Sequence, residues 1–393
     1  MIKKFLDLGL QPLANSYIKE KDLNKKESKF RLEVMFNSKN YLVSINKKIA
    51  TNKMFNSDYP YRSSQSNTMK NSFKKIAEEI KKRFKPEFII EIGSNDGAFL
   101  FNFRRQKILG IEPCKNIAKI TTKKKYKTID EYWTKKLAKK ITKKNKADLI
   151  YSANTLSHIK NLEETFGAIN LALSKRGVLV MEGPSLLPCV KNNSYDQFYC
   201  EHVYVFSTIS LINILKKYGL EIFDIKNLKT HGGSSRYFIK KISNIEIKKK
   251  KVVFQEIKKE KKYGLNRFKT FKNFAKRVNK SKKDLITILK KLKKNKKKVI
   301  GYGATAKSCT VLNFCKINSN QIDYFIDTTP DKVNKFLPGS KIFIKKYKKL
   351  QKNQVDVVFL GAWNFKDEIF KKEKLFRKKG GKFLTHVPKV RLI

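Results

Sequence analysis

The sequence predicts an α/β protein with two open sheets and a small lobe in front of them, and three observations carry that prediction. The apolar run Phe88-Ile89-Ile90-Glu91-Ile92 ends in the turn Gly93-Ser94-Asn95-Asp96-Gly97, and Ala98-Phe99-Leu100 after it could open a helix. A second strand and glycine turn, Val299-Ile300-Gly301-Tyr302-Gly303, recurs far downstream. Between them, short apolar runs alternate with segments of helical spacing, which is how parallel sheets are built. A chain of 393 residues exceeds one ordinary core. It divides into a lobe over 1–66, a first α/β domain over 67–244, a helical linker over 245–297 and a second α/β domain over 298–393.

Composition excludes some functions and leaves others open. The chain has 90 Lys and Arg against 33 Asp and Glu, a formal charge of +57, which raises a nucleic-acid or membrane-surface reading. The excess is almost all lysine spread through every region, without an arginine-rich patch interleaved with aromatics, so solvated faces explain it better than a polynucleotide groove. A polyanionic small molecule would still be drawn to such a surface. Cys114, Cys189, Cys200, Cys309 and Cys315 form no C-x-x-C pair, which fits a reducing compartment and offers no zinc knuckle. Asp7 interrupts the apolar N-terminus, and no uncharged apolar run of about 18 residues occurs, so neither a signal peptide nor a membrane span is expected. The expected address is the cytoplasm, as a monomer or weak dimer.

In chain order, residues 1–66 read as irregular or β-like, with a turn signal at Leu8-Gly9-Leu10-Gln11-Pro12-Leu13-Ala14-Asn15. This lobe is too small for its own core. In Tyr59-Pro60-Tyr61-Arg62-Ser63-Ser64 the tyrosines either pack or present hydroxyls to a cleft. Met69, Phe73, Ile76, Ala77, Ile80 and Phe84 have helical spacing, and Pro86 closes that helix. The run from 88 is the strand that follows. The glycines of its turn can take positive φ and admit a ligand to the backbone. It lacks the third glycine of G-x-G-x-x-G, and with Glu91 before Gly93 it looks like an S-adenosylmethionine turn using Glu91, Gly93, Ser94, Asn95, Asp96 and Gly97. The next strand, Ile108–Ile111, ends in Glu112 and Pro113; an acid there can accept ribose hydroxyls, in an NAD site as well as in an S-adenosylmethionine site.

Ala147–Ala153 is a further strand that delivers Asn154 and His158, and Gly177–Glu182 another, followed by Tyr199-Cys200-Glu201-His202. Both histidines therefore leave the carboxyl edge of the sheet, where ligands bind in open α/β folds. Ser210–Tyr218 reads as a helix and Gly219–Ile225 as a strand. His231-Gly232-Gly233-Ser234-Ser235-Arg236 is either an anion-holding turn or a hairpin bend. Residues 245–297 are lysine-rich with apolar helical spacing, as one long helix or two. In the last unit Gly301, Tyr302, Gly303 and Lys307 mimic a dinucleotide turn, although structural use of the fold is an equal reading. Trp363 and Asn364 leave the strand Val355–Leu360 at one edge.

With these residues in hand, the chain resembles the deoxysugar C-methyltransferases, which use S-adenosylmethionine on nucleotide-linked keto-sugars. The resemblance rests on LGLQPLAN, YPYRSSQS, EIGSNDGAFL, GIEPCKNIA, ADLIYSANTLSHI, FYCEHVYVFS, HGGSSRYF, GYGATAKS and GAWNFKDEI, which occur in the family's order almost end to end. It implies a small N-terminal segment, a central Rossmann-like methyltransferase domain and a C-terminal Rossmann-like domain framing a sugar-nucleotide cleft. Two departures stand out. The family's N-terminal segment usually holds zinc with paired cysteines, whereas no cysteine precedes Cys114 here, so no zinc is expected. The family's Tyr-His-Glu-His box reads Tyr199-Cys200-Glu201-His202, and the loss of an essential base at position 200 would leave an inactive relative.

The resemblance implies a reaction the residue types can serve. A carbon beside a ketone becomes nucleophilic once a proton is removed, and His202 is the expected base because imidazole titrates near neutrality. Glu201 would orient it or take the proton itself. His158, Tyr199 and Tyr61 would donate to the enolate oxygen. Arg236 and Lys307, with His231, Gly232, Tyr302, Trp363 and Asn364, would hold the sugar nucleotide. No metal is needed. A basic nucleic-acid binder and an NAD-dependent sugar-nucleotide enzyme remain as rival readings.

Overall fold

The computed structural model describes residues 1–46, 49–103 and 106–393. Its centre is a seven-stranded sheet in the spatial order Leu220–Leu228, Ser234–Lys241, Leu173–Pro184, Ala147–Ala153, Phe88–Ile92, Lys107–Ile111, Thr128–Ile129. The last five run parallel, and the first two join by an antiparallel hairpin. The strand Phe88–Ile92 is buried at every position, as expected of a strand covered on both faces. The chain leaves it for Lys107–Ile111 on one side and returns to Ala147–Ala153 on the other, so the crevice where a ligand binds opens at its carboxyl end.

The helix leading into this strand spans Asn67–Phe84, capped by the Ser66 side chain on the Met69 N–H, and it buries Met69, Phe73, Ile76, Ala77 and Ile80. The helix expected after Gly97 does not form. A single 3-10 turn, Leu100–Asn102, stands there instead. Asn102 Nδ2 caps the carbonyls of Ala98 and Phe99 at 3.0 Å each, and Phe99 and Phe103 turn inward, with Phe99 stacked on Tyr151 at 3.8 Å between centroids. Aromatic burial outweighs the helical spacing, so no helix N-terminus faces the crevice from this turn.

The second sheet has six strands in the order Ile344–Lys346, Phe325–Asp327, Val299–Tyr302, Val357–Leu360, Lys382–Thr385, Arg391–Leu392, parallel except at its last pair. The linker is two helices, Lys251–Tyr263 and Phe268–Lys294, separated by Gly264 at φ +90°.

The N-terminal lobe is a four-stranded sheet of Ile2–Pro12, Lys29–Asn37, Val43–Ile45 and Tyr204–Val205. Its fourth strand is thus the segment just after the Tyr199–His202 box. Phe5 and Phe36 pack on Phe271 of the linker at 5.0 and 4.6 Å, and one continuous core joins lobe, linker and C-terminal sheet. Each such buried phenylalanine contributes roughly 1.5–3 kcal/mol. The lobe therefore borrows its core from the rest of the chain.

Candidate active site

A cavity of about 440 Å³ opens at the carboxyl edge of the seven-stranded sheet, closed over by the N-terminal lobe and the C-terminal domain. Its wall includes Glu91, Gly93, Ser94, Asn95, Glu112, Pro113 and Asn154 on one side, and Tyr61, His158, Tyr199, Glu201 and His202 on the other. His231, Lys307 and Asn364 line it from the C-terminal side. A larger groove of about 840 Å³ lies between the first strand and the helix Ala306–Cys315, but it contains none of these residues.

The glycine turn is shaped by its own contacts. Gly93 takes φ +71°, and a Cβ there would lie 2.1 Å from Thr155 Oγ1, so only glycine lets the wall close. Glu112 ends the neighbouring strand and accepts the N–H groups of Asn95 and Cys114, both at 2.9 Å. Two backbone donors leave a carboxylate further acceptor sites. Glu91 is buried, its Oε2 has no partner, and burial followed by the repulsion of Glu112 and Asp96 holds its carboxyl well above the usual range. Ser94 Oγ is likewise buried and unpartnered. Two orphaned polar atoms, an acid at the strand end and the apolar Ile92, Ile111, Met69 and Trp133 fit an adenosine ligand.

Asp96 and Gly97 stand elsewhere than expected. Asp96 lies outside the cavity and clamps the segment before the first helix, accepting from Ser63 Oγ at 2.9 Å and from the Ser64 N–H and hydroxyl. Asn95 shares that task, with its Oδ1 on the Ser63 N–H at 2.8 Å and its Nδ2 on the Tyr61 carbonyl. The clamp holds Tyr61 in the wall. Gly97 packs against Phe101 and Thr121, and its role is internal packing rather than contact with a ligand.

On the opposite wall, hydrogen bonds fix the state of the box. His202 Nδ1 lies 2.7 Å from the Gln197 carbonyl, which can only accept, so this nitrogen carries the proton. Nε2 is then the acceptor for the Tyr199 hydroxyl at 2.8 Å. Burial, and next the nearby His158, hold the His202 pKa well below its usual value, so the ring is neutral. His158 stacks on it at 5.1 Å, is brought down to about 4 by burial, and leaves Nε2 buried with no partner. Glu201 does not bond to His202. Its oxygens accept Asn15 Nδ2 at 2.6 Å and Tyr59 Oη at 3.1 Å, and burial pushes its carboxyl to about 7 against those two bonds. Asn15, Tyr59 and Gln197 are wall residues that pattern reading did not single out individually, although LGLQPLAN and YPYRSSQS contain the first two.

Cys200 points away from the cavity. It is buried in the lobe's core, its sulfur accepting the Ala14 N–H at 3.4 Å, so the departure from the family box falls behind the wall.

Of the expected nucleotide-holding residues, Lys307, His231 and Asn364 reach the cavity. Lys307 Nζ and His231 Nε2 are buried without hydrogen-bond partners, and Lys307 Nζ lies over the Trp363 ring at 5.3 Å. Arg236 is a correction: it sits on the hairpin strand, bonded to Glu182 at 2.8 Å and Glu79 at 3.3 Å, and these acids consume its charge inside the protein. The segment forms the hairpin between Leu220–Leu228 and Ser234–Lys241, and Arg236 within it is not free to clamp an anion. Gly232 and Trp363 form a contact between the two domains instead, because a Cβ on Gly232 would strike the indole at 2.2 Å. Trp363 Nε1 also donates to the buried Asp196. Tyr302 lies outside the cavity beside Tyr347.

The C-terminal glycines are spent on packing. A Cβ at Gly301 would meet the Phe325 ring at 2.4 Å and one at Gly303 would meet Ala362 at 2.5 Å, while Asp327 accepts the Ala304 and Thr329 N–H groups.

Comparison with known proteins agrees with this geometry. Three consecutive family models match: a zinc binding domain over 1–55, a methyltransferase domain over 61–225, and a C-methyltransferase C-terminal domain over 229–388. The C-methyltransferase NovU of Streptomyces niveus is 27% identical over 99% of this chain and 93% of its own. Among solved structures, the N-methyltransferase NodS of Bradyrhizobium japonicum is 14% identical with a TM-score of 0.36, covering 45% of this chain and 98% of its own. An S-adenosylmethionine-dependent methyltransferase of Clostridium acetobutylicum is 12% identical with a TM-score of 0.35, covering 45% and 93%. The residues of this chain do not fit the zinc that the first model implies: 1–55 contain neither cysteine nor histidine, and no metal-holding cluster occurs among the described residues. Among the described residues no helix is long and apolar enough to cross a membrane. The turn with Glu91 and Glu112 and the cavity it opens on agree with the methyltransferase domain matched over 61–225 and the C-methyltransferase C-terminal domain matched over 229–388, and the chain is an S-adenosylmethionine-dependent methyltransferase.

Proposed function

We propose that the enzyme methylates a carbon beside the ketone of a nucleotide-linked keto-deoxysugar. The observation that supports this most is the opposite wall of the cavity, where a carboxyl poised near neutrality and neutral imidazoles face a site open to a cofactor turn. A carbon acid must lose a proton before it can react with an electrophilic methyl group, and the match to a C-methyltransferase C-terminal domain over 229–388 favours carbon over oxygen or nitrogen as the acceptor.

Glu91, Glu112, Ser94, Asn154 and the backbone at Gly93 are the residues that would hold S-adenosylmethionine, which when bound supplies an electrophilic methyl group on sulfur. The chain's own residues handle the proton. Glu201 is the better placed acceptor: its pKa of about 7 suits transfer at neutral pH, and its oxygens keep free lone pairs. This moves the base from His202, whose Nε2 already receives the Tyr199 hydroxyl. A second reading keeps His202 as the acceptor through Tyr199, favoured by the Gln197 contact that leaves Nε2 as the free base. His158 Nε2, as the N–H tautomer, supplies the donor for the oxygen on which charge grows, with Tyr61 nearby in the wall. Lys307 and His231 meet the diphosphate, since a buried ammonium without a partner is costly until an anion arrives. Burial holds the Lys307 pKa below its usual value, and the nearby carboxylate of Asp196 offsets part of that shift.

The test is proton removal by itself. Incubation with nucleotide-linked keto-deoxysugars in deuterated water should place deuterium on the carbon next to the ketone, and Glu201→Gln should abolish that exchange. Exchange that survives in Glu201→Gln but vanishes in His202→Asn would transfer the role to His202.

A further inference from the structure

We infer that Asn15 and Tyr59, both contributed from outside the central sheet, are positioning residues that hold the two oxygens of Glu201 in the cavity wall, so that the first sixty residues take part in proton transfer. This rests on the reading of Glu201 as the proton acceptor.

Asn15 lies in the turn that follows the strand Ile2–Pro12, and that turn is pinned on two sides. The Ala14 N–H donates to Cys200 Sγ at 3.4 Å, and the Tyr17 hydroxyl donates to the Ala304 carbonyl at 2.7 Å. Its amide then reaches Glu201 Oε1 at 2.6 Å. From the other direction Tyr59 brings its hydroxyl to Oε2 at 3.1 Å, held in place by its ring against Phe55 and by its carbonyl, which accepts Asn116 Nδ2 at 2.9 Å. Each oxygen of Glu201 therefore has one neutral donor.

The titratable groups facing Glu201 are Tyr17, Tyr59, Cys114, Tyr199 and Cys200, and burial raises the pKa of each. They are neutral at pH 7. Among the described residues no cation is paired with this carboxylate. Its ionised form thus depends on the two donors against the cost of burial, and removing either shifts the balance toward the protonated acid. A residue that merely shaped the turn would change stability without moving that balance.

The test is an infrared titration of the full-length protein, following the protonated-carboxyl band that Glu201→Gln removes, alongside the pH dependence of kcat/KM. In the wild type the band and the acid limb should both titrate near 7. In Asn15→Ala and in Tyr59→Phe both should move upward by about one pH unit. At pH 6 each variant then turns over about tenfold more slowly than wild type, and the deficit closes at alkaline pH. Tyr59→Phe removes a single oxygen, so it carries the test if Asn15→Ala does not fold. A Glu201 band that stays in place in the variants overturns the inference and leaves the role of Glu201 standing. An acid limb that persists in Glu201→Gln overturns that role, and the inference with it.

Discussion

At the scale of single residues, the site works through burial set against hydrogen bonds. Glu201 and Glu91 are both buried carboxyls, but Glu201 has two donors and is held near neutrality, while Glu91 has an orphaned oxygen and two acidic neighbours. The first is matched to moving a proton and the second to meeting a ligand. Glu201→Gln is expected to lower kcat by about 10²–10⁴-fold while S-adenosylmethionine binding by calorimetry stays within a few-fold; unaltered turnover contradicts the assignment. Cys200 makes the opposite case. Because it lies behind the wall, Cys200→Ala should cost about 1 kcal/mol of stability in a denaturant titration and leave turnover nearly unchanged. A large loss of kcat would return position 200 to the chemistry. Residue types alone could mark Glu201 and His202 as candidates, but not which way each pointed, since that depends on Gln197, Asn15 and Tyr59 arriving from other parts of the chain.

At the scale of elements, the turn at 93–97 carries two glycines with different duties. Gly93→Ala forces a side chain into Thr155 in the cavity wall and should weaken S-adenosylmethionine binding at least tenfold by calorimetry. Gly97→Ala strikes Phe101 and Thr121 and should appear first as a lower melting temperature. Equal loss of affinity in both would mean that the whole turn, rather than Gly93, faces the ligand. The helix Thr208–Leu215 depends on a distant residue, because buried Glu260 of the linker accepts the N–H groups of Thr208 and Ile209 at 2.8 and 2.9 Å. Glu260→Ala should destabilise the protein by about 2 kcal/mol in urea unfolding, since two buried donors lose their partner. Strands were legible because apolar runs ending in Glu91, Glu112 and Asn154 have few other uses. The helix expected after Gly97 was not, because Phe99 and Phe103 bury inward in a way that helical spacing does not reveal.

At the scale of the molecule, three parts share one cavity. The lobe contributes Asn15, Tyr59 and Tyr61, the central domain most of both main walls, and the C-terminal domain Lys307 and Asn364. A lobe matched to a zinc binding domain yet lacking cysteine and histidine is held by Phe5 and Phe36 on the linker and by pairing of Val43–Ile45 with Tyr204–Val205. Melting curves should therefore coincide with and without a strong chelator; a drop of several degrees would show that a metal supports the fold. The convergence of three parts was legible only as a resemblance, because no local pattern records that Tyr17 reaches Ala304 or Trp363 reaches Asp196. The most direct measurement of the central claim is incubation with methyl-labelled S-adenosylmethionine and a panel of nucleotide-linked keto-deoxysugars, followed by location of the label in the product. Label should be bonded to the carbon beside the ketone, and label found on oxygen or nitrogen would contradict methylation at that carbon.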